Sequence, residues 1–154
     1  MKLPIFIRIF LMNRKNLYLL PLSPSMTEDH FENEFASFRI ENDILFFTYK
    51  PATRLDLEGA RCVVTDRKRF QKNMSYLVCC DARGLKEIDK AARDYLAREG
   101  SDLVIAVAIL IESPVTRILT NFYLTISKPL TPTKLFTDRG EAIAYLETYK
   151  SASV

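Results

Sequence analysis

Histidine occurs once in the 154 residues, glycine four times and cysteine three times, and each scarcity excludes a class of function. The lone His30 lies in a polar stretch ahead of the first convincing strand. Histidine-based catalytic triads and multi-histidine zinc sites need that ring fixed against partners, so neither is expected. The glycines stand apart at 59, 84, 100 and 140, leaving no glycine-rich loop to cradle a phosphate, and no cofactor or metal is expected. Cys62, Cys79 and Cys80 are odd in number and lack a C-x-x-C spacing, which suits reduced thiols in a cytoplasmic protein. Cys79 and Cys80 are neighbours on an apolar run, so on a strand they point to opposite faces and do not pair. The net charge is only +3, and no dense basic stripe with interleaved aromatics is present, so nucleic acid is not expected as a partner.

What is present is enough for one domain. With 48% hydrophobic and 27% charged residues, a chain of this length buries a core without disulfides. The opening "MKLPIFIRIFLMNRKNLYLLPLSPS" differs from the rest, with apolar patches interrupted by Lys2, Arg8, Arg14 and Lys15. Arg8 and the poor cleavage site argue against a signal peptide. The apolar stretches fall short of the roughly 20 residues a spanning helix needs, so no stable membrane insertion is expected. The segment reads as an amphipathic extension, an extra packed element, or sequence upstream of a true start at Met26 or Met12. Residues 1–30 are therefore set apart as a flexible or spurious extension, and 31–154 as the domain.

From residue 35 the pattern is regular. "FASFRI" alternates, placing Phe38 and Ile40 on one side and Ser37 and Arg39 on the other. "END" turns the chain into "ILFFTY", completing a β-hairpin. Asp56 caps a helix running to about Lys72, with Leu57, Ala60, Val63, Val64 and Phe70 on its apolar face. The run "DRKRFQK" reads as that helix's solvated end. "YLVCCD" and "LVIAVAILI" are continuous apolar runs suited to buried central strands. Between them, Asp89 caps a helix that stops at Gly100. Ser113-Pro114 starts a third helix with Val115, Ile118, Leu119, Phe122 and Ile126 at helical spacing. "KLFT" is a last strand, and Asp138 with Glu141 opens a final helix as a capping box that buries Ala142, Ile143 and Leu146. The expected order is β-β-α-β-α-β-α-β-α: an α/β sandwich with a mixed sheet of about five strands and about four helices.

This order resembles the STAS domain, the fold of the bacterial anti-sigma factor antagonists, in its short SpoIIAA-like (STAS/SEC14-like) branch. The likeness covers about residues 35–150, through "DILFFTYKP", "CDARGLKEIDKAARDYLAREG", "VAILIESPVTRILTNFYL" and "PTKLFTDRGEAIAYL". The resemblance implies a non-enzymatic regulatory or protein-interaction module, in a branch whose members mostly have no assigned function. The antagonist loop reads Asp-Leu-Ser-Gly, a hydrophobic residue and three more positions, then Asp-Ser-Ser-Gly. Asp81, Gly84, Leu85 and Asp89 match that frame. Lys90 and Ala91 replace the two serines, and Ala92 the second glycine. Ala91 stands at the phosphoacceptor position and has no hydroxyl, so the charge-driven switch is absent.

Within the loop Asp89 is accounted for as an N-cap, Asp81 as an acceptor of N–H groups in its own turn, and Gly84 as a supplier of positive φ. Arg83, Lys86 and Lys90, with Arg54 and Arg117, are placed to surround one sheet edge. Asp81, Arg83, Gly84, Lys86, Asp89 and Lys90 are thus the candidate residues for an unidentified protein partner or ligand. No catalytic residue is assigned. The alternative is a small apolar, lipid or anionic ligand on the same fold, and a homodimer is left open. The aromatic residues Phe46, Phe47, Tyr49, Phe122 and Tyr123 read as core or helix–sheet packing, whereas a surplus exposed patch of them would indicate a dimer face or an apolar ligand groove.

Overall fold

The structure, a computed structural model, describes residues 29–151. Expectations that fall on residues 1–28, or on the side chains of Val115, Leu119 and Phe122, lie outside the described residues.

The expected hairpin is formed by β2 (Ala36–Glu41) and β3 (Ile44–Tyr49), with Phe38 opposite Phe47. Asn42 and Asp43 take φ of 51° and 62°, the double left-handed turn whose twist matches paired strands. The polar stretch that holds His30 is itself a short edge strand, β1 (His30–Glu32), which pairs antiparallel with β2. Three parallel additions complete the sheet: β5 (Tyr76–Asp81), β7 (Val104–Leu110) and β8 (Thr133–Phe136), in the order β1-β2-β3-β5-β7-β8. The sheet therefore has six strands rather than five.

Two further strands escaped the sequence reading. β4 (Thr53–Leu55) and β6 (Leu85–Ile88) pair in parallel as a separate two-stranded sheet. They are three and four residues long and are held by each other, too short for periodicity to reveal. The stretch 81–89 is therefore not a simple loop.

Among the described residues, four α-helices cover the main sheet. α1 (Leu57–Phe70), α2 (Lys90–Arg98) and α3 (Pro114–Phe122) lie on one face, and α4 (Arg139–Ser151) on the other. Each start uses the residue the sequence offers. Gly59 donates to Asp56 (2.8 Å), Ala92 to Asp89 (2.7 Å), Thr116 to Ser113 (3.1 Å) and Glu141 to Asp138 (2.9 Å). Each cap contributes about 1 kcal/mol. The third helix departs from expectation: Thr116 and Thr120 are buried, whereas Ile118, and Ile126 in the π-helical turn Tyr123–Ser127 that follows, are more than half exposed. The Thr120 hydroxyl donates back to the Thr116 carbonyl at 2.7 Å, which makes its burial tolerable.

The strand alternation divides the core. Phe38, Leu45, Phe47, Val78 and Ile109 face α1–α3. Ile44, Leu77, Cys79, Ala108 and Leu110 meet Ala142 and Leu146 of α4. Cys79 and Cys80 sit on opposite faces, as strand geometry requires. Among the described residues no helix is long and apolar enough to cross a membrane.

Candidate functional site

The segment 80–96 uses its two faces differently. The residues singled out from sequence point outward. Arg83 closes a fork on Asp81, donating from Nε at 2.9 Å and from a terminal nitrogen at 2.7 Å, while its backbone N–H donates at 3.1 Å. Asp81 is half-buried, and burial pushes its carboxyl up; the hydrogen bonds and charge of Arg83, with Arg139 beyond, outweigh this and hold it below the ordinary 3.8. Such a carboxylate stabilises the fold above its unfolded pKa, and that contribution is lost as pH falls through the lower folded value. Asp81→Asn is therefore expected to flatten the fall of stability below about pH 4, measured by urea unfolding across the acid range. An unchanged slope would contradict the pairing.

Two of the other candidate cations are also engaged locally. Arg54 pairs with Glu87 across β4–β6, and Lys90 pairs with Asp94 one turn along α2. Lys86 is exposed and makes no ion pair among the described residues, and Ala91 is exposed on the first turn of α2. Arg117 lies elsewhere, in a polar surface hollow of about 290 Å³ with Lys134 and Glu141. The five cations therefore do not converge on one anion site.

Gly84 is required for a different reason from the one expected. Its φ is not positive; a Cβ there would stand 2.4 Å from the Tyr49 carbonyl oxygen and 2.6 Å from that of Lys50. The close approach lets Thr53 donate to the Gly84 carbonyl at 3.0 Å and brings β6 beside β4.

The inward half of the same segment builds a site. Cys80, Ala82, Leu85, Ile88 and Leu96 line a cavity of about 110 Å³, partly open to solvent, between the sheet and α1–α3. Phe47, Val63, Val78 and Ile109 complete its apolar surface, and Tyr49, Arg67, Arg93, Thr120 and Tyr123 bring polar atoms to it. The Tyr123 hydroxyl donates to the Leu96 carbonyl at 3.4 Å. Burial pushes the Cys80 thiol well up, with Cys79 and Asp81 adding to it, and it raises both Tyr49 and Tyr123. These three groups are neutral at physiological pH, so none is an activated nucleophile.

Arg67 is the residue the sequence reading missed. It sits in the run taken as a solvated helix end, yet it is only 4% exposed. It donates to Gln71 Oε1 and to the carbonyls of Gly100 (3.2 Å) and Asp102 (3.0 Å). Gln71, equally buried, donates in turn to the carbonyls of Met74 and Leu103, both at 2.9 Å. Burial lowers the guanidinium to about 10, opposed chiefly by the charge of Asp102, so it remains charged at neutral pH. The signal was the spacing: 60, 63, 64, 67 and 71 continue one helix face. The charges at Asp66, Lys68 and Arg69 concealed it.

A family model for a domain of unknown function, DUF7793, matches residues 38–150, about three-quarters of the chain. The chain belongs to the DUF7793 family. The matching model is that of DUF7793 and not that of the STAS family expected from the sequence. The chain is similar to a crystal structure described as an uncharacterized protein from the DUF3478 family with a SpoIIAA-like fold, from Shewanella loihica. Identity is 16% and the TM-score 0.49, over 79% of this chain and 99% of that one. No curated protein matches. Among the described residues of this DUF7793 domain, no group of three histidine, cysteine or acidic side chains is placed to hold a metal.

Proposed function

We propose that this DUF7793 chain is a non-enzymatic binding domain whose site is the cavity beneath α1–α3, taking a small, mainly apolar molecule. The observation that carries the reading is an apolar hollow inside the domain on which Tyr49, Arg67 and Tyr123 converge. Apolar walls with a few convergent polar groups are the usual composition of a small-molecule site. At about 110 Å³ the enclosed space is smaller than the roughly 150 Å³ that holds benzene, so it takes a short branched chain, or a single ring that reaches into the cavity's opening. A long acyl chain is too large.

Thermal unfolding with a panel of small apolar compounds, including indole and benzyl alcohol, tests the reading. Ligands that bind only the folded state raise the melting temperature by mass action. At least one compound should stabilise the wild type and leave Ala82→Leu, which fills the cavity, unshifted. No shift in the wild type, or equal shifts in both proteins, would refute it.

A second reading, a regulatory or protein-interaction module using residues 81–95, is favoured by the exposed surface around Lys86, Lys90 and Ala91. Exposed Ile118, Ile126 and Leu130 add apolar area around α3. Pull-down from the native host's lysate with wild type and Lys90→Glu distinguishes it: a partner captured by the first and lost with the second supports the module. Identical capture by both counts against it.

A further inference from the structure

The cavity wall is electrostatically one-sided. Two arginines, Arg67 and Arg93, line it, and no aspartate or glutamate does among the described residues. Arg67 is buried without a carboxylate at ion-pair distance; the acceptors it meets are the Gln71 amide and two main-chain carbonyls. The acidic residue whose charge acts on it, Asp102, turns its carboxylate to Lys68 at 2.7 Å. A guanidinium has five donors, and three bonds to neutral acceptors leave it under-compensated. A charge held in a low-dielectric interior without a counter-ion is costly, and it attracts an anion far more strongly than the same charge in water.

The phenols extend the pattern. Tyr49 is buried on the wall, where burial keeps its phenol protonated. A neutral phenol donates one hydrogen bond to an anion. The rest of the wall is aliphatic or aromatic. The arrangement asks for a molecule with an apolar body and one negative head.

We propose that the cavity is a site for a small apolar organic acid, an aromatic or branched-chain carboxylate, with its carboxylate at Arg67 and its body against Phe47, Val78, Leu85 and Ile109. This rests on the ligand-binding reading above and adds the ligand's charge and orientation. A charge-assisted bond to Arg67 favours the acid over its neutral isostere, because charged hydrogen bonds are about twice as strong as neutral ones.

The test compares benzoate with benzyl alcohol, matched in shape, by isothermal titration of the full chain. Benzoate should bind about tenfold or more tightly than benzyl alcohol, as expected when one partner adds a charge-assisted bond. In Arg67→Gln that preference should vanish, with benzoate falling to the affinity of benzyl alcohol for the same variant. The Arg67 Nε resonance of the wild type should move on addition of benzoate and not of benzyl alcohol, which keeps the test intact if the variant fails to fold. Equal or weaker binding of benzoate by the wild type overturns this proposal and leaves the ligand-binding reading standing. Failure of both compounds to bind overturns both. A benzoate preference that survives in folded Arg67→Gln also overturns the assignment of the head to Arg67.

Discussion

Gly84→Ala is expected to destabilise the domain by about 3 kcal/mol or more, since overpacking against rigid backbone is among the larger single-residue effects. The new Cβ meets two carbonyl oxygens, those of Tyr49 and Lys50, at 2.4 and 2.6 Å. Neither belongs to a side chain that could swing aside. Relief requires moving the end of β3 or separating β6 from β4, which breaks the Thr53–Gly84 hydrogen bond. Because Leu85 and Ile88 of β6 form part of the cavity wall, binding should fail along with stability. Gly100→Ala is the internal control. Its Cβ would meet only Leu96 and Val64, at ordinary contact distances of 3.5 Å and beyond, so its effect should stay within about 1 kcal/mol. Urea unfolding of both variants decides: equal stability of the two would contradict the close-approach account of Gly84.

The second large effect is at Arg67. Arg67→Ala leaves Gln71 Oε1 and the carbonyls of Gly100 and Asp102 without their donor. Unsatisfied buried acceptors cost about 1–3 kcal/mol each, and removal of the stem adds a packing loss. Relief from burying a charge works the other way, so a net loss of about 2–4 kcal/mol is expected. Arg67→Met restores most of the stem without donors and should recover part of the loss. Lys68→Ala, one residue along, breaks only the partly exposed pair with Asp102 and should cost under about 1 kcal/mol. Equilibrium unfolding of the three variants is the check. An Arg67→Ala variant as stable as Lys68→Ala would show that the buried network is not holding α1 to the segment 100–103.

The sequence made legible whatever depends on local signals. Asn42-Asp43 marked the hairpin, and Asp56, Asp89, Ser113 and Asp138 each marked a helix start. The runs around Cys79 and Ala108 marked central strands, and Cys79 and Cys80 divided between the two faces as alternation demands. Hidden were features set by contacts distant along the chain. β4 and β6 lie about thirty residues apart and stabilise each other through a register no short window contains. Gly84 matters because of carbonyls thirty-four and thirty-five positions earlier.

The site was half legible. Charges drew the eye to Asp81, Arg83, Lys86 and Lys90, which lie on the outer side of the segment, with Arg83 and Lys90 already ion-paired. The alternate residues Ala82, Leu85 and Ile88 form the cavity wall. Composition marks apolar residues as core and does not say whether that core is filled. Arg67 was misread for a related reason: helical spacing placed it inward, while its charge suggested solvent.

The central claim is that small apolar molecules enter the space between the sheet and α1–α3. Methyl-resolved NMR of the full chain during titration with indole and benzoate tests it most directly. Saturable shifts are expected at Val63, Val78, Leu85, Ile88 and Ile109, with Met74 and Ile105, exposed and outside the cavity wall, unmoved. Shifts spread evenly over exposed methyls, or none at the cavity residues, would contradict it.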